Sequence, residues 1–258
     1  MKWQFLNTGF HSGIFNMDFD EALALRLKRG TCPPVLRVYG WEPHTISIGF
    51  NQNIEDFDIA ALQRRGIGIV RRPTGGRAIL HAHELTYSVV INSAQQSPKE
   101  FYRRINEGLL QSLRRLDISA DLTENDDNFR NLYREPSSLP CFASSAKNEI
   151  QFEGKKLVGS AQRRYGNVIL QHGSILLGPQ HRQIVDFIAS YVENSRNVIE
   201  ETLLHHTSDA ESILGRYVSF EETADCIKKG FEEALDITFA VERPLIDNSV
   251  QFSHITSS

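Results

Sequence analysis

Cysteine is scarce in this chain. It occurs three times in 258 residues, at Cys32, Cys141 and Cys226, far apart and with no C-x-x-C pair. So sparse and odd a set excludes a disulfide framework and a structural zinc site. The nine histidines do not alter this, because His81-x-His83 and His205-His206 lack carboxylate or cysteine partners at ligand spacing, and no metal is expected. No apolar run approaches the roughly 20 residues of a membrane span, and residues 1–10 are too polar for a secretory signal. Excess positive charge is missing as well. Lys and Arg number 28 against 32 Asp and Glu, giving a net charge of −4 and a pI near 6.1. That balance supplies no global basic field for nucleic acid. Repeats and low-complexity segments are absent. What remains is an ordinary globular composition, 40% hydrophobic and 23% charged, long enough for a substantial core and expected in the cytoplasm.

The apolar pattern predicts a helix over 18–27, with Phe19, Ala22, Leu23 and Leu27 on one side and Gly30 as a stop. β-leaning runs follow at 35–39, 45–48, 67–70, 78–80 and 85–91. Ser97-Pro98-Lys99-Glu100 is a capping box with proline at the first helical position, and its helix is predicted to run to about Leu116. Residues 121–139 read as a polar loop, ending in Pro136-Ser137-Ser138-Leu139-Pro140. Strands are expected again at 149–152, 156–159 and 166–177, with a hairpin turn over 152–155. Beyond Pro179 the pattern turns helical. Ser219-Phe220-Glu221-Glu222 is a second capping box, a short strand is expected at 237–241, and the tail after Arg243 reads as frayed. Strands with helices at both ends give an α+β protein. The expectation is one catalytic domain over 1–258, with a helical subregion at 179–258 as a weaker possibility.

Two stretches about eighty residues apart carry the chemistry. The first is Arg71-Arg72-Pro73-Thr74-Gly75-Gly76-Arg77-Ala78-Ile79-Leu80-His81. The second is Gly154-Lys155-Lys156-Leu157-Val158-Gly159-Ser160-Ala161-Gln162, followed by Gln171-His172-Gly173-Ser174. Cys141 lies fifteen positions before Lys156. A glycine pair lets backbone approach a ligand, a lysine supplies a point charge, and a cysteine supplies a nucleophile. The arginine and lysine pairs within these stretches either face solvent or meet an acidic partner or ligand.

On these residues, with Tyr39-Gly40-Trp41-Glu42-Pro43-His44-Thr45-Ile46-Ser47-Ile48-Gly49 and Leu85-Thr86-Tyr87-Ser88, nearly the whole chain resembles the lipoate/biotin protein ligase and octanoyltransferase superfamily. The resemblance implies a mixed, mostly antiparallel β-sheet flanked by helices. Gly-Gly-Arg in the signature loop, where ATP-using ligases usually carry a third glycine, and the Cys141-Phe142 pair are similar to the cysteine-dependent octanoyltransferases of the LipM type. That branch implies transfer of an octanoyl group from octanoyl-acyl carrier protein to a lysine of a lipoyl domain such as the glycine-cleavage H protein. No cofactor is then required, and neither nucleic acid nor membrane is a partner. The alternatives are an ATP- and Mg-dependent lipoate ligase, a more distant biotin ligase, and a catalytically silent lipoyl-domain binding protein. One departure is Ala82, where the family usually has Asp after the loop histidine.

An acyl thioester must be attacked before its acyl group reaches an amine, and cysteine suits that step because thiol exchange is nearly balanced. Cys141 is the expected nucleophile, with Lys156 as the cation that favours its thiolate. Neighbours on a strand face opposite ways, so one of Lys155 and Lys156 can enter the site, and the family pattern selects Lys156. Gly75 and Gly76, flanked by Arg72, Thr74 and Arg77, are expected to turn backbone N–H groups on the acyl carbonyl, worth about 3 kcal/mol per donor in the transition state. Gly159, Ser160 and Ala161 belong to the lysine segment, His81 is expected to shape the pocket, and His172 with Gly173 to support it as a close strand contact. Ile79, Leu80 and Val158 either line an acyl slot or pack in the core.

Overall fold

The computed structural model describes residues 2–93, 97–122, 149–189 and 196–240. Most of the loop expected at 121–139, Cys141 and the tail after Arg243 lie outside these residues.

β1 (Lys2–His11), α1 (Gly13–Lys28) and β2 (Val35–Trp41) open the chain, with β1 parallel to β2. Parallel neighbours need a crossover of about a dozen residues or more, and α1 provides it. Ser12 caps this helix, its side chain accepting from the Phe15 amide at 3.3 Å. The helix thus begins ahead of the predicted residue 18. Its buried stripe carries Asn16 and Asp20 alongside Met17, Leu23, Ala24 and Leu27, so apolar spacing alone does not reveal its first turns.

β3 (Thr45–Ile48), β4 (Gly68–Arg71) and β5 (Ile79–His81) form a small sheet in the order β4-β3-β5, with α2 (Ile59–Arg64) between β3 and β4 in sequence. The remaining strands are β6 (Glu84–Asn92), β7 (Asp121–Leu122), β8 (Ile150–Phe152), β9 (Lys155–Tyr165), β10 (Val168–Leu176) and β11 (Thr238–Phe239). Among the described residues they join β1 and β2 in an eight-stranded sheet, β11-β1-β2-β6-β10-β9-β8-β7. Pairing is antiparallel from β2 to β7 along this order and parallel around β1. The sheet is therefore mixed and mostly antiparallel, as the resemblance implies. The β8–β9 turn places Glu153 and Gly154 at φ of 49° and 75°, the left-handed pair a two-residue hairpin demands.

Helix α3 (Pro98–Arg115) starts at its capping serine, Ser97 Oγ accepting from the Glu100 amide at 3.2 Å, and α6 (Phe220–Leu235) starts likewise at Ser219. The two pack together on one face of the large sheet. Phe101, Ile105, Leu109 and Leu113 of α3 and Ala224, Ile227 and Phe231 of α6 share a core with Leu85, Tyr87, Ile169 and Ile175 of the sheet. On the opposite face, Leu23, Ala24 and Leu27 of α1 meet Val35, Val90, Val168 and Leu170. β10 is buried along its whole length because successive residues feed opposite cores. The region after Pro179 holds a 3₁₀ helix at Pro179–Phe187, α4 (Arg196–His206), α5 (Ala210–Leu214) and α6, and closes with β11 on β1. Ala210, Val218 and Phe220 belong to the same core as α3. No helix among the described residues is long and apolar enough to cross a membrane.

Candidate active site

Between α1, the small sheet and strands β9–β10 lies a small cavity, of about 40 Å³, that opens to solvent. Among the expected site residues, Arg72, His81, Gly159, Ser160, Ala161, His172 and Gly173 line it, together with Ile79. Met17, Tyr39, Trp41, Ser47, Thr86 and Ser174 also line it; none is among the expected site residues, although all but Met17 lie in the segments that carry the resemblance. Leu80 and Val158 instead fill the hydrophobic cores.

Although many of these residues are polar, the wall exposed to the void is mostly apolar. The reason is a layer of hydrogen bonds within the wall. Trp41 Nε1 donates to Thr86 Oγ1 at 2.8 Å, and Thr86 donates in turn to Glu84 Oε1 at 2.7 Å. Arg72 donates to Ser47 Oγ at 3.2 Å, which leaves that hydroxyl's proton for His81 Nε2, 2.8 Å away. Trp41 and His81 stack, ring centres 3.9 Å apart. Neutral His81 then carries its hydrogen on Nδ1, which approaches Glu84 Oε2 to 3.4 Å without the alignment of a hydrogen bond. Burial, then the Arg72 guanidinium and the neighbouring His172, hold His81 well below the usual imidazole range; burial pushes Glu84 well above the carboxylate range, against its bonds to Thr86 and Trp41. His81 is thus neutral at pH 7, Glu84 is shifted toward its neutral form, and rings and methyls face the cavity. Ser174 Oγ, buried and without a partner, is an exception.

His172 is oriented from behind by Asp20. Asp20 Oδ2 accepts from Tyr39 at 2.9 Å and lies 3.2 Å from His172 Nδ1, while Oδ1 accepts from Arg37 at 2.8 Å. Neither Asp20 nor Arg37 has any exposed side-chain surface. Burial pushes the Asp20 carboxyl up, but Arg37 and the His172 contact outweigh it and hold the group below its ordinary range. His172 Nδ1 therefore carries the proton and Nε2 accepts from Thr74 Oγ1 at 2.7 Å. This bond ties the signature loop to β10.

Both arginines before the loop serve its shape. Arg71 donates to the carbonyls of Gly49, Phe50 and Gln52. Arg72 donates to the carbonyls of Ser47, Gly75 and Arg77, the last at 2.6 Å. The Gly76 carbonyl passes so near Gly49 that a Cβ there would sit 2.0 Å from the oxygen. Gly75 and Gly76 are exposed, and neither they, Thr74 nor Arg77 is part of the cavity lining. At Gly173 an added Cβ would meet the Gly159 carbonyl at 2.5 Å and the Tyr87 ring at 2.7 Å, which fits the expected close strand contact.

Lys156 is also outside that lining. Its Nζ donates to Glu149 Oε1 at 2.5 Å, the two side chains 3% and 4% exposed. Its carbonyl accepts from the Ser208 amide at 3.0 Å, and neighbouring Thr207 is held by His181 Nε2 at 2.9 Å. Glu149 had been read only as the start of a strand. Among the described residues no cluster of His, Cys, Asp or Glu is placed to hold a metal ion.

The eight-stranded sheet, the three-stranded sheet and the helices share their fold with solved lipoate-protein ligases. A lipoate-protein ligase A solved with bound ATP superposes with a TM-score of 0.73 at 24% identity, covering 94% of this chain and 89% of that one. A bipartite lipoate protein ligase from Thermoplasma acidophilum gives 0.75 at 23%, covering 94% and 87%. The chain belongs to the lipoyl protein ligase A/B catalytic domain family, whose model matches residues 12–232. Among its relatives are proteins named octanoyltransferase LipM. That of Kyrpidia tusciae is 43% identical over 90% of this chain and 87% of its own length, and that of Bacillus subtilis 37% identical over 91% and 87%.

Proposed function

We propose that this protein is an octanoyltransferase of lipoate biosynthesis that works through a thioester on Cys141. The observation that carries this reading is the 43% identity, over 90% of the chain, to a relative named octanoyltransferase. The Cys141 thiolate attacks the carbonyl of octanoyl-acyl carrier protein. A new carbon–sulfur bond forms, the donor's breaks, and the donor thiol leaves with a proton. The amine of a lysine on a lipoyl domain, such as that of the glycine-cleavage H protein, then attacks. A carbon–nitrogen bond forms, the Cys141 carbon–sulfur bond breaks, and the amine's proton returns to the site. Because the donor is already a thioester, no nucleotide, metal or other cofactor is needed, and the reaction belongs in the cytoplasm. Lys156 supplies the positive charge that favours the Cys141 thiolate and helps the incoming amine lose its proton. His81, Gly159, Ser160, Ala161, His172 and Gly173 shape the acyl slot, and Arg72, Thr74, Gly75, Gly76 and Arg77 hold the loop beside the reacting carbonyl. The apolar wall supports this, since roughly seven buried methylenes at about 0.8 kcal/mol each contribute some 5 kcal/mol to binding.

Incubating the protein with octanoyl-acyl carrier protein and a lipoyl domain, without nucleotide, is expected to octanoylate the acceptor lysine, read by intact mass. Modification that requires ATP and free acid instead would assign the chain to ligation.

A further inference from the structure

Lys156 and Glu149 form an ion pair that is almost fully buried. We propose that Glu149 is a positioning residue for Lys156, holding its ammonium protonated and fixed behind the cavity wall at Ser160. This rests on the reading of Lys156 as part of the transfer machinery.

Three observations converge on it. The Nζ–Oε1 distance is 2.5 Å with both side chains almost fully buried, so the two charges meet out of solvent. A buried ammonium without a counter-charge gives up its proton at lower pH, and an adjacent carboxylate opposes that loss. The pair also connects to the cavity. Tyr102 of α3, its hydroxyl pushed up by burial, feels both charges, Glu149 and then Lys156, and is influenced in turn by Ser160 and Asn106. Ser160 lines the cavity and shares a 2.7 Å bond with Tyr87, which Gln171 joins at 2.8 Å. Through Tyr102 the ion pair is electrostatically coupled to the wall at Ser160. The backbone of Lys156 is pinned independently, by Ser208 and by the bridge to Thr207. At the side chain, Glu149 is the carboxylate that receives the ammonium. Among the described residues, the titratable groups around Lys156 include Glu149 ahead of β8, Tyr102 from α3 and, one hydrogen bond further away through Thr207, His181 of the 3₁₀ helix, which burial lowers to about 4 and hence keeps neutral.

The consequence concerns chemistry as well as geometry. With Glu149 ionised, Lys156 keeps its proton and a fixed direction, so the positive charge it supplies is an oriented one. Substituting Glu149→Gln keeps the shape and a hydrogen-bond acceptor but removes the counter-charge. The test is NMR titration of the Lys156 side chain in full-length protein carrying ¹³C-lysine, with the resonance assigned by its loss in Lys156→Arg. In E149Q the midpoint is expected to fall by about 1 to 3 pH units, and the alkaline limb of the transfer rate to fall by the same amount. E149D, which restores the charge, is expected to return both toward the unsubstituted protein. An unchanged Lys156 titration in E149Q would overturn the proposal, as would a uniform loss of rate with no shift in the pH profile. If E149Q does not fold, E149D against unsubstituted protein supplies the comparison, with a smaller shift expected and none overturning the proposal. Because the titration is read without substrate, a protein inactive in transfer still tests the role of Glu149, and the two readings fail separately.

Discussion

Replacing Lys156 with alanine is expected to lower octanoyl transfer about 10²- to 10⁴-fold, the range that follows loss of a positioned acid–base group. The same change strands Glu149 in the interior, and breaking one half of a buried ion pair costs roughly 3–5 kcal/mol of stability. Activity loss alone would therefore not separate chemistry from folding. A double variant does. Replacing both partners with apolar residues of similar size, Lys156→Met with Glu149→Leu, removes the stranded charge and is expected to bring stability back to within about 1–2 kcal/mol of the starting protein. Transfer should stay as low as in Lys156→Ala. Urea unfolding and a transfer assay on the same preparations check both halves. Recovered transfer alongside recovered stability would show that the lysine is needed for packing, not for the reaction.

The second large effect is expected at Asp20. Asp20→Asn keeps the shape of the side chain but leaves the Arg37 guanidinium, stacked 3.9 Å over Tyr39, without its counter-charge. A loss of roughly 3–5 kcal/mol should result, a fall in Tm on the order of 10 °C for a chain of this length. The cost has a predictable pH dependence. In the folded protein Arg37 and His172 overcome burial and depress the Asp20 carboxyl, so its contribution is complete above the ordinary carboxylate range. It is lost as pH falls through the depressed value. The gap in Tm between the two proteins should therefore be widest near neutrality and narrow in acid. A gap that is constant across pH would mean that shape, not charge, is what Asp20 contributes. The variant should also loosen the signature loop, because His172 loses the partner that fixes its proton on Nδ1 and leaves Nε2 to accept from Thr74.

These two sites mark where sequence reading reached its limit. Elements that bury an alternating or helical stripe of apolar residues were legible. β3 occupies the predicted 45–48, and α3 and α6 begin at the serines whose capping boxes announced them. α1 was foreshortened because Asn16 and Asp20 occupy its buried face, and nothing in a hydropathy pattern indicates that Arg37 will arrive to pair with them. β1 went unread for a related reason. Only its first half is deeply buried, and its register with β2 shifts between Asn7 and Phe10. In the site, the two motif segments did converge on one cavity, yet its deepest polar residues came from elsewhere. Glu149 and Asp20 act through ion pairs across 7 and 17 positions, which carry no periodic signal. Arg71 and Arg72, read as contacts for an acidic partner or ligand if not for solvent, hold backbone carbonyls of the loop that contains them. A guanidinium's five donors suit that task, but only coordinates reveal which acceptors they find.

The proposed reaction requires the acyl group to pass through the sulfur of Cys141. Intact-mass measurement after mixing the protein with octanoyl-acyl carrier protein alone, followed by peptide mapping, tests it most directly. One octanoyl group on Cys141, discharged when a lipoyl domain is added and absent in Cys141→Ser, is the predicted result. An adduct retained by Cys141→Ser, or full transfer by that variant, would contradict it.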